Sequence, residues 1–255
     1  MKHVLTTLLI TLLTLGLLAG CSSPTPEPTP TPEPTTAPPA ADTVTTVDDG
    51  SRRFAILPEE STASYIVHEE FFSGALAKYG IDVGNQEVTG STQEISGEFR
   101  IRLEEDMSEF ISGQFTVDIS TLTTTRNQRD EWIRENALES NKYPIAVFTA
   151  KSVTGAPAVY TEGEEVNFQL LGDLSVRDVT LPVTFDVTAT LEGSRLNAVA
   201  TTALEITDFG FDPPSFANTL TVANDLQIRV EIVAEEKEAA CGCDTSLGFI
   251  DHTTL

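Results

Sequence analysis

From residue 166 to residue 191, apolar side chains fall on every second position. Val166, Phe168, Leu170, Leu174 and Val176 are followed, after a turn at 178–181, by Val183, Phe185, Val187, Ala189 and Leu191. A period of two held over this length describes long strands with one buried and one wet face. Ile95, Phe99, Ile101 and Leu103 repeat the pattern, with Arg100, Arg102 and Glu104 on the opposite side. Leu226, Ile228, Val230 and Ile232 close the series. This periodicity predicts about eight strands, at 61–69, 91–104, 110–120, 145–154, 165–176, 181–192, 194–207 and 222–234. Connections are mostly short, which favours antiparallel neighbours. Long one-sided strands without a covering layer of helices suggest closure into a barrel, which removes exposed edges. The expected fold class is therefore all-β, an eight-stranded antiparallel barrel with one short helix at a barrel end. A two-sheet sandwich is the alternative.

The first 20 residues read as a targeting segment. Lys2 supplies a positive start, and the apolar run from Val4 to Leu18 is short for a membrane-spanning helix. It ends in Leu18-Ala19-Gly20-Cys21, the pattern of a bacterial lipoprotein signal, with the Cys21 thiol as the acceptor of the lipid. Residues 21–50 are rich in Pro, Thr and Glu and poor in large apolar side chains, so they read as a flexible or polyproline spacer. At about 3.1 Å per residue the spacer holds a folded domain at 51–234 several nanometres from a membrane. Residues 235–255 form an acidic tail. The expected location is extracytoplasmic, lipid-anchored at an outer membrane or cell surface.

The formal net charge is −24. Such acidity repels nucleic-acid phosphates and anionic headgroups, and its plainest role is solubility. Of three cysteines, Cys21 is assigned to lipid, leaving Cys241 and Cys243 in the tail. Their spacing, even with His252, is not that of a zinc site, and a disulfide is favoured outside the cytoplasm. No metal, cofactor or catalytic residue is assigned. His68 is a lone strand histidine without the partners of a triad, and no phosphate-binding loop or hydrolase motif occurs.

The stretch from Val117 to Phe148 is a strand-helix-strand corner. Thr125-x-x-Gln128 fits a capping box, Ile133 and Ala137 would share a helix face near Trp132, and Tyr143-Pro144 would stop the helix. The segment from Phe71 to Gly80 reads as an apolar lid-like loop or helical turn. Arg129-Asp130 is expected mainly to lock the helix to a neighbouring strand. Arg126 and Arg129 are also candidates for a lipid headgroup at the barrel mouth.

Thr124-x-Arg126-Asn127-x-Arg129-Asp130, the short helix, Lys142-Tyr143-Pro144-x-Ala146-x-Phe148, the run from Gly172 to Val183, and the run from Ala203 to Pro214 together resemble the YceI-like family. The likeness spans roughly residues 60–234. It implies a lipocalin-like eight-stranded barrel, exported, whose hydrophobic tunnel holds a polyisoprenoid chain such as an isoprenoid quinone or polyprenyl lipid. Family members often carry glycine where this chain has Arg177-Asp178, so a different hairpin turn is expected there.

An eight-stranded barrel either fills itself with side chains or holds one slender ligand. The residues alone favour a filled core, and the resemblance tips the reading towards a cavity. Thirteen Phe and one Trp suit an apolar lining. Inward candidates are Phe99, Ile101, Phe115, Val117, Phe148, Phe168, Leu170, Leu174, Phe185 and Val187. The expected function is a membrane-tethered, non-enzymatic lipoprotein that binds, stores or carries an apolar lipid. One rival is a structural or adhesion module with a filled barrel; a weaker one is a redox accessory using the cysteine tail.

Overall fold

The alternating segments form strands that close on themselves. The computed structural model describes residues 49–71, 85–216 and 220–237. Cys21, the signal segment, nearly all of the spacer, residues 72–80 of the lid-like segment, and Cys241, Cys243 and His252 lie outside the described residues. The strands are β1 (Arg52–Ile56), β2 (Thr62–Phe71), β3 (Asn85–Thr92), β4 (Ile95–Leu103), β5 (Ser108–Asp118), β6 (Ile145–Thr154), β7 (Val166–Val176), β8 (Val179–Glu192), β9 (Arg195–Glu205), β10 (Ser215–Phe216) and β11 (Leu220–Lys237). One antiparallel ring runs β1–β4–β5–β6–β7–β8–β9–β11 and returns to β1. The single sheet is a closed eight-stranded barrel, not a sandwich.

The remaining strands extend this ring. β11 pairs with β2 over Leu220–Glu231 and with β1 over Ala234–Lys237. β1 and β2 are thus two halves of one wall strand, broken by a 3₁₀ turn at Pro58–Glu60. β3 pairs with β2, while β4 pairs with β1 and β5. These too are halves of one strand, bent at Gln93 and Glu94. β1 and most of β3 were not anticipated. Arg52–Ile56 is too short for a period to show, and Asn85–Thr92 has only Val88 as a large apolar residue.

Call the end bearing the Arg177-Asp178 hairpin upper and the end bearing the Gly193-Ser194 hairpin lower. The lower end is filled. Phe54, Phe99, Leu191 and Ala234 are buried together, with Phe54 and Ala234 at 0% exposure. The connection 155–165 folds across this end. Its Tyr160 hydroxyl accepts from the Leu191 N–H at 2.8 Å and lies 2.9 Å from the Leu191 carbonyl.

At the upper end, two non-glycine residues have left-handed backbones, Glu139 (φ 46°) and Arg177 (φ 57°). They are ion-paired with each other, Arg177 Nη2 to Glu139 Oε1 at 2.7 Å. Arg177 Nη1 also donates to the Ala137 carbonyl at 3.1 Å, which satisfies an end group of the helical corner. The hairpin is therefore a left-handed turn made without glycine, and its side chain clamps two elements. We expect Arg177→Ala to cost about 1 kcal/mol more than Arg177→Gly, because both lose the clamp but only alanine keeps the left-handed penalty. Urea midpoints at unchanged m-values measure this difference; equal losses would remove the strain from the account.

Candidate functional site

Above the filled end the barrel is hollow. A cavity of about 840 Å³ occupies the upper half, towards the large end of the usual range for ligand pockets. Its floor is aromatic. Phe115, Phe148 and Phe185 line it and contact one another in sequence, with ring centroids 6.3 Å apart for Phe115–Phe148 and 5.0 Å for Phe148–Phe185. Below them the stack continues through Phe99 to Phe54, at 6.1 Å and 5.2 Å. Gly172 makes room for this floor: a Cβ there would lie 2.6 Å from the Phe148 ring and 2.4 Å from the Thr149 carbonyl.

Of the inward candidates, Phe115, Val117, Phe148, Leu170, Leu174 and Phe185 line the cavity. Phe99, Ile101, Phe168 and Val187 do not. Phe99 and Ile101 pack in the lower cluster, and Phe168 and Val187 pack beside the floor in the adjoining core. Strand period indicates which side of the wall a residue faces, but not how far along the barrel it sits.

The corner supplies the roof and one flank. After β5 the chain makes a 3₁₀ turn at Ile119–Thr121, where the Asp118 side chain accepts from the Ser120 N–H at 3.0 Å. Thr123 then pairs with Ser91 on the free side of β3. Helix α1 (Asn127–Trp132) follows and widens into a π turn over Ile133–Ala137. Trp132, Ile133 and Ala137 all face the cavity. Trp132 also meets Phe216 of β10 edge-on, at 5.1 Å.

Two details of the corner differ from expectation. The Thr125–Gln128 capping box does not form: the N-cap is Arg126, without a side-chain cap, and Thr124 Oγ1 accepts from the Arg126 N–H at 3.2 Å. The chain leaves the helix at left-handed Glu139, whose carbonyl accepts from Lys142 and Tyr143, before Tyr143-Pro144 is reached.

Among the described residues, polar lining is confined to one region, formed by β2 (Ser64, Tyr65, Glu69) and residues 125–129 of the corner. Arg129 Nη2 pairs with Glu69 Oε2 at 3.0 Å, with side-chain exposures of 15% and 6%. Arg129 Nη1 also reaches Thr124 Oγ1 at 3.4 Å. Asp130, 3% exposed, accepts from the Thr124 N–H and hydroxyl at 2.9 and 2.7 Å. Burial, reinforced by the nearby Asp130 carboxylate, pushes the Tyr65 phenol well above its ordinary pKa. Arg126 lines the rim and is exposed. His68 is on the outer side of β2, with Nδ1 3.5 Å from Asp225.

Glu69 and Tyr65 were missed as site residues. Their one sequence signal is their phase: positions 63, 65, 67 and 69 alternate inward, and a carboxylate on that register is out of place in an apolar wall.

Residues 54–234 match the YceI-like domain. The chain belongs to the YceI-like family. UPF0312 proteins of Pseudomonas putida strains GB-1 and W619 are each 31% identical over 163 residues, covering 60% of this chain and 78% of the relative. Two solved structures share the fold. BcnA of Burkholderia cenocepacia is 17% identical with a TM-score of 0.51, covering 70% of this chain and 98% of that one. A polyisoprenoid binding domain from Saccharophagus degradans, implicated in plant cell wall breakdown, is 12% identical with a TM-score of 0.53, covering 72% and 98%. In this YceI-like barrel, the corner that carries part of the sequence likeness also forms the roof of the cavity and part of its polar edge.

Proposed function

We propose that this chain is an extracytoplasmic, non-enzymatic lipoprotein, anchored through Cys21, that holds one apolar chain lipid in the upper half of its barrel. The lipid class is polyisoprenoid, an isoprenoid quinone or a polyprenyl lipid. The observation that carries this reading is the cavity itself: it is large, almost wholly apolar, and has its polar groups gathered at one edge. Each buried CH₂ contributes about 0.8 kcal/mol, so a long chain binds without many polar contacts. The Saccharophagus domain of the same fold, a polyisoprenoid binding domain, supports the class. A structural or adhesion module with a filled barrel fits less well, because only the lower half is filled.

Trp132 provides a test. It is the single tryptophan of the chain and lines the cavity. Retinol, an isoprenoid polyene, is expected to quench Trp132 emission saturably by energy transfer. Organic extracts of the purified protein should contain a chain lipid by mass spectrometry. Absence of both signals would rule out the lipid-holding reading.

A further inference from the structure

The polar edge of the cavity is unbalanced in charge. Glu69, 5% exposed, lines it and pairs with the largely buried guanidinium of Arg129, while Asp130, 3% exposed, is held behind on Thr124, the hydroxyl that Arg129 also reaches. This cation is already engaged, with Nη2 on Glu69 and Nη1 on Thr124. Among the described residues that line the cavity, the other cation is Arg126, which is exposed at the start of α1. There, water and salt screen its attraction.

We infer that the cavity accepts chain lipids with an uncharged head group and discriminates against the same chain carrying a phosphate. This rests on the proposed lipid-holding function and narrows its lipid class. A phosphate head brings a charge of about −1.5 to −2. Inside the edge, after losing its own water, it would meet the Glu69 carboxylate and a guanidinium whose charge Glu69 already offsets, with the buried Asp130 carboxylate held behind them on Thr124. The chain's net charge of −24 adds a repulsive background. A hydroxyl or carbonyl head brings no such charge, and Tyr65, on the same edge, offers a neutral phenol. Glu69 already pairs with Arg129, so of the headgroups Arg129 could meet at the mouth an uncharged one is favoured.

The test keeps the chain constant and varies the head. Geranylgeraniol, its monophosphate and the corresponding primary amine are titrated as competitors of retinol bound to the full-length protein, read through Trp132. The alcohol and the amine are expected to compete at least about tenfold better than the monophosphate. Glu69→Gln, which removes one negative charge, is expected to narrow the alcohol-to-phosphate ratio at least about threefold. Wild-type protein alone decides the sign should that variant fold poorly. A monophosphate that competes as well as the alcohol overturns the charge inference and leaves the carrier reading standing. Failure of retinol and all three competitors to bind overturns both.

Discussion

Replacing Arg129 with methionine is expected to destabilise the barrel by about 3–5 kcal/mol, the cost of leaving one member of a buried ion pair without its partner. Glu69 would face an apolar cavity with its carboxylate desolvated, since its side chain is only 6% exposed. The loss is also one of connection, because Arg129 sits on α1 and Glu69 on β2, joining the roof to the wall. Arg129→Lys keeps the charge but cannot reach Glu69 and Thr124 with two separate nitrogens, so an intermediate loss is expected. The double variant Arg129→Met/Glu69→Met should recover most of the stability, since a packed apolar pair needs no desolvation of charge. Urea unfolding of the three variants measures this. A loss below about 1 kcal/mol for Arg129→Met would mean that water reaches the pair and that the corner is held by its apolar contacts instead.

The parts of this fold legible in the sequence are those where one physical signal repeats. Along β8 the buried positions are Val183, Phe185, Val187, Ala189 and Leu191, an unbroken alternation, and its predicted start lies two residues from the observed one. β6 begins and ends where the period placed it. Legibility fails where the structure depends on partners distant in sequence. Arg52–Ile56 is a strand because β4 and β11 flank it, not because RRFAI has a pattern. The boundary between filled and hollow halves depends on which phenylalanines from three strands meet at one height, and period-two reasoning has no term for height. Phe99 and Phe115 both point inward, yet only Phe115 meets the cavity. Glu69 and Arg129 lie 60 residues apart. Their pairing could not be read from either neighbourhood, although a strand partner for Arg129-Asp130 was expected.

The second large effect is expected at the floor. Phe148→Ala should cost about 3–5 kcal/mol through lost burial and the space left behind, because Phe148 contacts both Phe115 and Phe185 and is 8% exposed. Phe54→Ala should cost as much, since Phe54 is 0% exposed and stacked on Phe99. The two differ in what lies above them. Phe148 borders the cavity, so its removal deepens the chamber, whereas Phe54 is behind Phe99 and its removal leaves a void that the cavity does not reach. A bound chain that extends to the floor can fill the first void and not the second. Added long-chain isoprenoid should therefore restore part of the stability of Phe148→Ala, by the linkage of ligand binding to folding, and little of that of Phe54→Ala beyond the wild-type shift. Lipids extracted from Phe148→Ala should also shift to longer chains. An unchanged chain-length distribution, with equal ligand-induced stabilisation in both variants, would show that the bound chain stops short of Phe148 and that another surface sets its depth.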